Sequence, residues 1–513
     1  MSSSASRSEH PILGAPVNEI VNLLRKRISL WKHTRIVRQS GIFDDGYYLA
    51  QLGERGPPGD LITHYVSVGE KLGLRPSKKF DPSFYGSRYP DVASSGRNLL
   101  SHFVTHGVQE GRLGRPQTEE FETAEVALDQ TKRTILLLVH ELSRTGAPIL
   151  GWNIGRYLKK NFEYNIVVVS LSSGDLADKF TDEFDIVISF DGISHNDEAQ
   201  FQSIAKSALS RFRPDYILAN SIITFPLANE FFKLGVPVIG LVHEFATFAI
   251  HMREIAKTMQ NLSELVFPAE VVRRSSFEKF PSLKMRPSHI IAQGRSEVPH
   301  TKHAPKRGVS ALAEFRSGAD FVVIGVGTLE WRKGVDLFVS AAATAKRKAP
   351  KIKLRFVWIG SVHGSGYELK EFLNEQVARS GVTEIVEFLE AVPDLDWAYA
   401  SADAFFLSSR LDPLPNVSIE AVSRGLPLVC FENGSGMAEI MSNDADAKQL
   451  VVPYLDASAA ADVFIRMASD QLWMDRKKAA MERVANQRFD MKAYVTKLDV
   501  LGRSITLARS PSS

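Results

Sequence analysis

The sequence predicts an α/β protein with two Rossmann-like domains facing across a cleft, preceded by a small N-terminal repeat module. Short apolar runs of strand length alternate with helical spans over residues 133–244, and the alternation restarts at residue 320. That pattern is the signature of parallel sheets with crossover helices. A polar stretch, GRSEVPHTKHAPKRG (294–308), separates the two series, and a pair of similar units occupies residues 43–116.

Composition narrows the function classes. A chain of 513 residues exceeds what one core supports, so two or three domains are expected. With 24% charged and 44% hydrophobic residues the chain is ordinary for a soluble globular protein. A net charge of +3 is too small to make nucleic acid the main partner. Cys430 is the only cysteine, which excludes an internal disulfide and a cysteine zinc cluster and suits a reducing compartment. The opening MSSSASRSEHPILGAPVNEI has no apolar signal core, and no uncharged apolar run reaches transmembrane length. The expectation is a cytoplasmic chain.

Residues 1–40 read as a basic amphipathic segment. Val17, Ile20, Val21, Leu24, Ile28 and Trp31 recur at helical spacing among Arg25, Lys26, Arg27, Lys32, Arg35 and Arg38. Such a helix can lie on an anionic membrane surface, making the protein peripheral at the inner face, or pack its apolar stripe on the rest of the chain.

Residues 41–117 hold the repeat. FDDGYY (43–48) leads to HYVSVGEKLGLRP (64–76), and FDPSFY (80–85) leads to HFVTHGVQEGRLGRP (102–116). One supersecondary unit used twice explains this, each copy burying its aromatic face against the other. His64 and His102 occupy the same place in both copies, which favours a structural role, such as a histidine bonded to backbone, over a metal ligand.

The acidic stretch 118–132 reads as a linker. A first Rossmann-like domain, the acceptor side, is expected over 133–300, with strands RTILLLVH, YNIVVVSL, FDIVISF, DYILAN and VPVIGLVHE. A linker at 301–318 leads to a second, donor-binding domain over 319–485. Its strands are DFVVIGVG, LRFVWIG, AFFLSS and LPLVCF, with a helix over 335–348. Residues 486–513 read as a C-terminal helix and tail.

The stretch SSRLDPLPNVSIEAVSRGLPLVCF (408–431) places Asp412 in a turn after one strand and Glu420 about one turn inside the following helix. Pro415 suits a first helical position, and Gly425 supplies the stop. The free N–H groups around Asn416 to Ser418 favour an anion, while an ionised Glu420 could accept bonds from two hydroxyls. Phosphate between a sugar and a ribose would fit. Taken alone, Asp412 serves equally well as a helix cap and Glu420 as a surface acid. GVGTLE (325–330) fails as a dinucleotide fingerprint, since Glu330 stands where a third small residue is required.

Over residues 133–500 the chain resembles the retaining glycosyltransferases of GT-B architecture, in the group 1 class also called glycosyltransferase family four. The resemblance rests on VGTLEWRKGVDLFVSAA, RLDPLPNVSIEAVSRGLPLVCFENGSGMAEI, VHELSRTGAPIL and IGLVHE, in the family's order. It implies that Lys333, helped by Arg332, neutralises the donor diphosphate. It also implies that Asp412 contacts the donor sugar, Glu420 the ribose diol, and the amides near Asn416 and Val417 the phosphate oxygens. His243 would lie near the transferred sugar, Gly146 where backbone approaches the donor, and Glu439 at the C-terminal side of the pocket. Three positions depart from the usual pattern: Asp412 replaces Glu, Pro415 a turn glycine, and Thr328 an arginine.

The implied activity is transfer of a sugar from a nucleotide sugar to a hydroxyl of a glycan or lipid-linked glycan, with retention of configuration, by a front-face displacement in which the leaving phosphate assists deprotonation of the acceptor. No cofactor and no metal are implied. Asp394 with Asp396, and Asp444 with Asp446, resemble metal-binding pairs but sit where helix starts or polar loops explain them. Family habit points to surface polysaccharide synthesis. Two rival readings are a non-catalytic carbohydrate-binding or scaffold protein on the same fold, and a sugar-nucleotide epimerase or phosphorylase.

Overall fold

The computed structural model describes residues 17–53, 59–118, 121, 128–190, 193, 197–247, 253–299, 316–362, 366–392 and 394–508. The expectations for residues 1–16, and for most of the two linkers at 118–132 and 301–318, lie outside the described residues. The chain forms two compact units: residues 1–119 with 197–204, and residues 120–196 with 205–513.

In the first unit the helix Val17–Ser40 is followed by two segments that fold alike. Asp44 caps the helix Asp45–Leu52 and Asp81 caps the helix Pro82–Arg88, each carboxylate accepting the N–H three residues on. Each segment then has a short helix, Leu61–His64 or Leu99–His102, that widens into a π-helical turn, Tyr65–Gly69 or Phe103–Gly107. The two matching histidines have side-chain partners in place of the backbone bond offered as an example. His64 Nδ1 bonds the Tyr48 hydroxyl at 2.9 Å and His102 Nδ1 the Tyr85 hydroxyl at 3.0 Å, so each partner is a tyrosine and not backbone. The same hydroxyls explain the glycine of each copy, because a Cβ at Gly69 or Gly107 would collide with the Tyr48 or Tyr85 hydroxyl. Glu70 of the first copy accepts the N–H groups of Leu99 and Leu100 in the second, at 2.9 and 3.1 Å, and joins the two.

The apolar stripe of the N-terminal helix does not pack as one of the two alternatives required. Leu24, Ile28 and Trp31 are 53%, 64% and 63% exposed, while Val37, near the other end, is fully buried in the aromatic core of the unit.

The second unit contains two parallel sheets. The first has strands β1 (Thr134–Val139), β2 (Asn165–Ser170), β3 (Ile186–Ser189), β4 (Tyr216–Asn220), β5 (Val238–Leu241), β6 (Glu264–Phe267) and β7 (Ser288–Ile290), in the order β3-β2-β1-β4-β5-β6-β7. The second has β8 (Phe321–Val326), β9 (Leu354–Ile359), β10 (Val386–Leu389), β11 (Ala404–Leu407), β12 (Leu428–Phe431) and β13 (Val451–Val452), in the order β10-β9-β8-β11-β12-β13. The order reverses beside β1 and beside β8, and ligand crevices of doubly wound sheets open at such points, beyond the carboxyl ends of the strands. The central strands are buried on both faces, which is why they read as continuous apolar runs.

The C-terminal helix Met491–Leu507 returns to the first sheet. Asp499, fully buried, accepts the hydroxyls of Tyr164 and Tyr216 at 2.9 and 3.3 Å. Met491, Tyr494, Val495 and Leu498 belong to the same apolar core as β1 and β2.

Candidate active site

The loop after β8 brings Lys333 inward. Residues Trp331–Lys333 make one 3-10 turn, and Gly334 follows at φ +64° before the helix Val335–Lys348. A Cβ at Gly334 would run into the Ser408 carbonyl oxygen, so only glycine fits the left-handed position. Lys333 is 9% exposed, and its Nζ lies 2.5 Å from Asp412 Oδ2. Ser409 Oγ donates to the same carboxylate oxygen at 3.2 Å, and Arg332 Nη1 reaches Oδ1 at 3.4 Å. Arg332 Nε also donates to Glu330 at 2.6 Å. Lys333 and Asp412 therefore form one buried charge pair assembled from two loops of the second sheet.

The helix after Asp412 runs Asn416–Ser423, with Gly425 at φ +72° beyond its end. Pro415 is the residue before this helix (φ −68°, ψ 137°), not its first residue as expected; its extended ψ turns the chain into the helix and leaves the first amides open. Asn416 Nδ2 donates to the Gly146 carbonyl at 3.0 Å, and Gln293 Nε2 donates to Asn416 Oδ1 at 3.0 Å. Gly146 begins the helix Gly146–Phe162 of the first sheet, so this helix tip faces the other domain directly.

Glu420 accepts the Tyr399 hydroxyl at 3.0 Å, and burial holds its carboxyl above the usual range. A cavity of about 1050 Å³ is lined by Gly146, Asn416, Val417 and Glu420 together with Arg144 and Arg295. Lys333, Asp412 and His243 are not among its lining residues.

On the facing domain, His243 follows β5. Asn220 donates through Nδ2 to the Ala147 carbonyl at 2.6 Å, so its Oδ1 is left to accept His243 Nε2–H at 2.9 Å. Desolvation, with His140 nearby, pulls the His243 ring down to about 4, so it is neutral at pH 7 and Nδ1 is an acceptor. Glu244 is a residue the sequence reading passed over. Ser221 Oγ donates to it at 3.1 Å, the His243 amide at 3.0 Å, and burial pushes its carboxyl up to about 7 while Arg332 opposes that shift. Its signal was the acid beside the histidine in VHE. Ser221 itself holds φ +90°, a strained conformation of the kind that gathers at functional sites.

Glu439 lies elsewhere than at the lip of this cavity. Its two oxygens accept the N–H groups of Glu270 and Val271 at 3.1 and 3.0 Å, capping the helix Glu270–Lys279 of the first sheet. The paired aspartates have structural partners: Asp394 accepts the Asp396 amide at 2.8 Å, Asp396 pairs with Arg424, and Asp444 and Asp446 both pair with Arg483.

Residues 320–470 match the family model described as "Glycosyl transferases group 1". The chain is 30% identical over 189 residues to D-inositol 3-phosphate glycosyltransferase of Corynebacterium urealyticum, covering 36% of this chain and 43% of that protein. It is 22% identical over 358 residues to the amylovoran biosynthesis glycosyltransferase AmsD of Erwinia amylovora, covering 69% and 95%. The match thus spans less than half the length of the Corynebacterium relative. Among solved structures, Anabaena Alr3699/HepE in complex with UDP and glucose superposes with a TM-score of 0.59 at 16% identity, covering 72% of this chain and all of that one. That likeness establishes the GT-B fold: two Rossmann-like domains.

Proposed function

We propose that the chain is a retaining, metal-independent hexosyltransferase that moves a sugar from a nucleotide-sugar donor to a hydroxyl of a glycan or lipid-linked glycan. The observation that carries the reading is the tip of the helix Asn416–Ser423 and Glu420 lining one cavity with Gly146, while Lys333 is paired with Asp412 in the turn that leads into the same helix. An ammonium has three donors and Asp412 takes one, leaving Lys333 able to meet a diphosphate. The amides of Asn416 and Val417 would bind phosphate oxygens, and Glu420, oriented by Tyr399, the ribose hydroxyls. Asp412 would hold Lys333 in place and contact the donor sugar, with Arg332 beside it.

In the reaction the bond from the anomeric carbon to the phosphate oxygen breaks. The acceptor oxygen bonds that carbon on the same face, and its proton passes to the departing phosphate. Charge building on the diphosphate is stabilised by Lys333 and the helix amides. His243, with Nδ1 as acceptor, is placed to take a hydroxyl of the transferred sugar. HepE was crystallised with UDP and with UDP-glucose, which supports a nucleotide-sugar donor, and AmsD acts in amylovoran biosynthesis, which supports polysaccharide assembly.

Among the described residues no helix is long and apolar enough to cross a membrane. The helix Val17–Ser40 instead offers exposed Leu23, Leu24, Ile28 and Trp31 amid its basic residues, a surface for peripheral contact with anionic lipid. The paired segments before the catalytic domains are read as a duplicated module.

The deciding experiment incubates the full chain with a panel of nucleotide sugars and glycan acceptors and follows the product by NMR. A new glycosidic bond with the donor's anomeric configuration is expected. An isomerised donor or a released sugar phosphate would support the epimerase or phosphorylase reading. No turnover, with glycan binding retained, would make the protein a carbohydrate-binding scaffold.

A further inference from the structure

We propose that the second copy in the N-terminal unit holds a binding pocket for a phosphate group, formed by Lys32, His33, Arg97, Asn98, His102 and His106. These residues line a cavity of about 460 Å³ between the helix Val17–Ser40 and the segment Arg97–His106, and no carboxylate is among its lining residues. The space exceeds one phosphate and leaves room for the group esterified to it.

The internal duplication supplies a comparison within one chain. At matching places the first copy has Gly59, Asp60 and Val68 where the second has Arg97, Asn98 and His106. The second copy thus loses an acid and gains a guanidinium and an imidazole. Asp60 and Asn98 do the same capping work, accepting the amides of Thr63 and Ser101, each at 2.9 Å. Folding therefore does not require the change from Asp to Asn. In the first copy Asp60 also pairs with Arg38 of the N-terminal helix at 2.7 Å, closing the charge internally. The second copy has no such closure: among the described residues neither Lys32 nor Arg97 has a carboxylate partner.

Two polar atoms strengthen the case. Asn98 is 9% exposed and its Nδ2 is buried without a partner, as is Nδ1 of His33. An unbonded buried donor keeps its desolvation cost uncompensated, and an anion in the pocket would satisfy it. His102 Nδ1 is engaged by the Tyr85 hydroxyl at 3.0 Å, and in the tautomer in which that hydroxyl donates, Nε2–H is a further donor. Glu110, the acid beside His102, is occupied by Arg112 at 2.5 Å.

The phosphate of a lipid headgroup and that of a soluble phosphoester present the same chemistry. The test is carried out on the full chain. Calorimetry with pyrophosphate is run on the wild type, on Asn98→Asp, on Arg97→Gln/His106→Val and on the exposed-charge control Arg25→Gln/Arg27→Gln. All are repeated with Lys333→Met/Asp412→Leu, which removes the proposed donor contact and so separates this pocket from the cleft. Binding that persists in that background, weakens at least tenfold in Asn98→Asp and in Arg97→Gln/His106→Val, and survives in the control is the expected result. Binding unchanged by those two substitutions, lost equally in the control, or absent from the wild type would overturn the proposal. Flotation with phosphatidylcholine vesicles with and without phosphatidic acid identifies the source. Loss of phosphatidic acid dependence in Asn98→Asp assigns a lipid phosphate, and its retention beside lost pyrophosphate binding assigns a soluble one.

Discussion

Lys333 and Asp412 meet at 2.5 Å with little solvent access, so each charge depends on the other. Removing one partner of a buried pair leaves an uncompensated charge and costs about 3–5 kcal/mol, whereas replacing both by apolar groups is often neutral. Lys333→Ala should therefore lower both Tm and sugar transfer, whereas Lys333→Met/Asp412→Leu should recover Tm but not transfer. Thermal melts and initial rates of the two variants check this. Glu244 gives a pH signature. Burial pushes its folded carboxyl up to about 7, above the usual 4.5, so its contribution to stability is full below the unfolded value and is lost as pH rises through about 7. Relative to Glu244→Gln, the wild type should gain Tm as pH falls from 8 to 4.5. A constant difference across that range would show that Glu244 is not buried as described. His243 runs the other way: held down at about 4, it supports the fold above the unfolded value of 6.5 and loses that support as pH falls through about 4.

At the scale of elements, the 3-10 turn and Gly334 aim Lys333. Gly334→Ala should destabilise by about 1–3 kcal/mol, because a side chain is strained at φ +64° and meets Ser408. Its nucleotide affinity should fall with it; a variant that melts and binds like the wild type would contradict the role of this turn. Strands whose neighbours cover both faces were plain in the sequence, since RTILLLVH and DFVVIGVG are unbroken apolar runs. Four strands were not foreseen. β6, β7, β10 and β13 are two to four residues long, and β7 and β10 are only partly buried, so periodicity had little to register. The turn after β8 and the strand, turn and helix that carry Asp412 and Glu420 were legible because Gly334 closes the first, and acids, prolines and Gly425 fall at fixed offsets along the second. The hydroxyl of Tyr399 on Glu420 was not, because that contact spans 21 residues and depends on packing.

At the scale of the second unit, the two sheets are held by contacts that local sequence does not announce. Glu439 caps the helix Glu270–Lys279 from the opposite domain, and the C-terminal helix returns to bury Asp499 against Tyr164 and Tyr216. Glu439→Ala should cost about 1 kcal/mol, the usual value of a lost cap, read as a lower Tm. An unchanged Tm would mean that this cap does not contribute to holding the domains. The central claim is that the cleft grips a nucleoside diphosphate through Lys333, a helix tip and Glu420. Calorimetry with UDP, GDP, ADP and dTDP tests it most directly. One of these should bind the wild type, at least tenfold more weakly to Glu420→Ala and more weakly still to Lys333→Met/Asp412→Leu. Equal affinity for all three proteins, or no binding of any nucleotide to the wild type, would contradict the account.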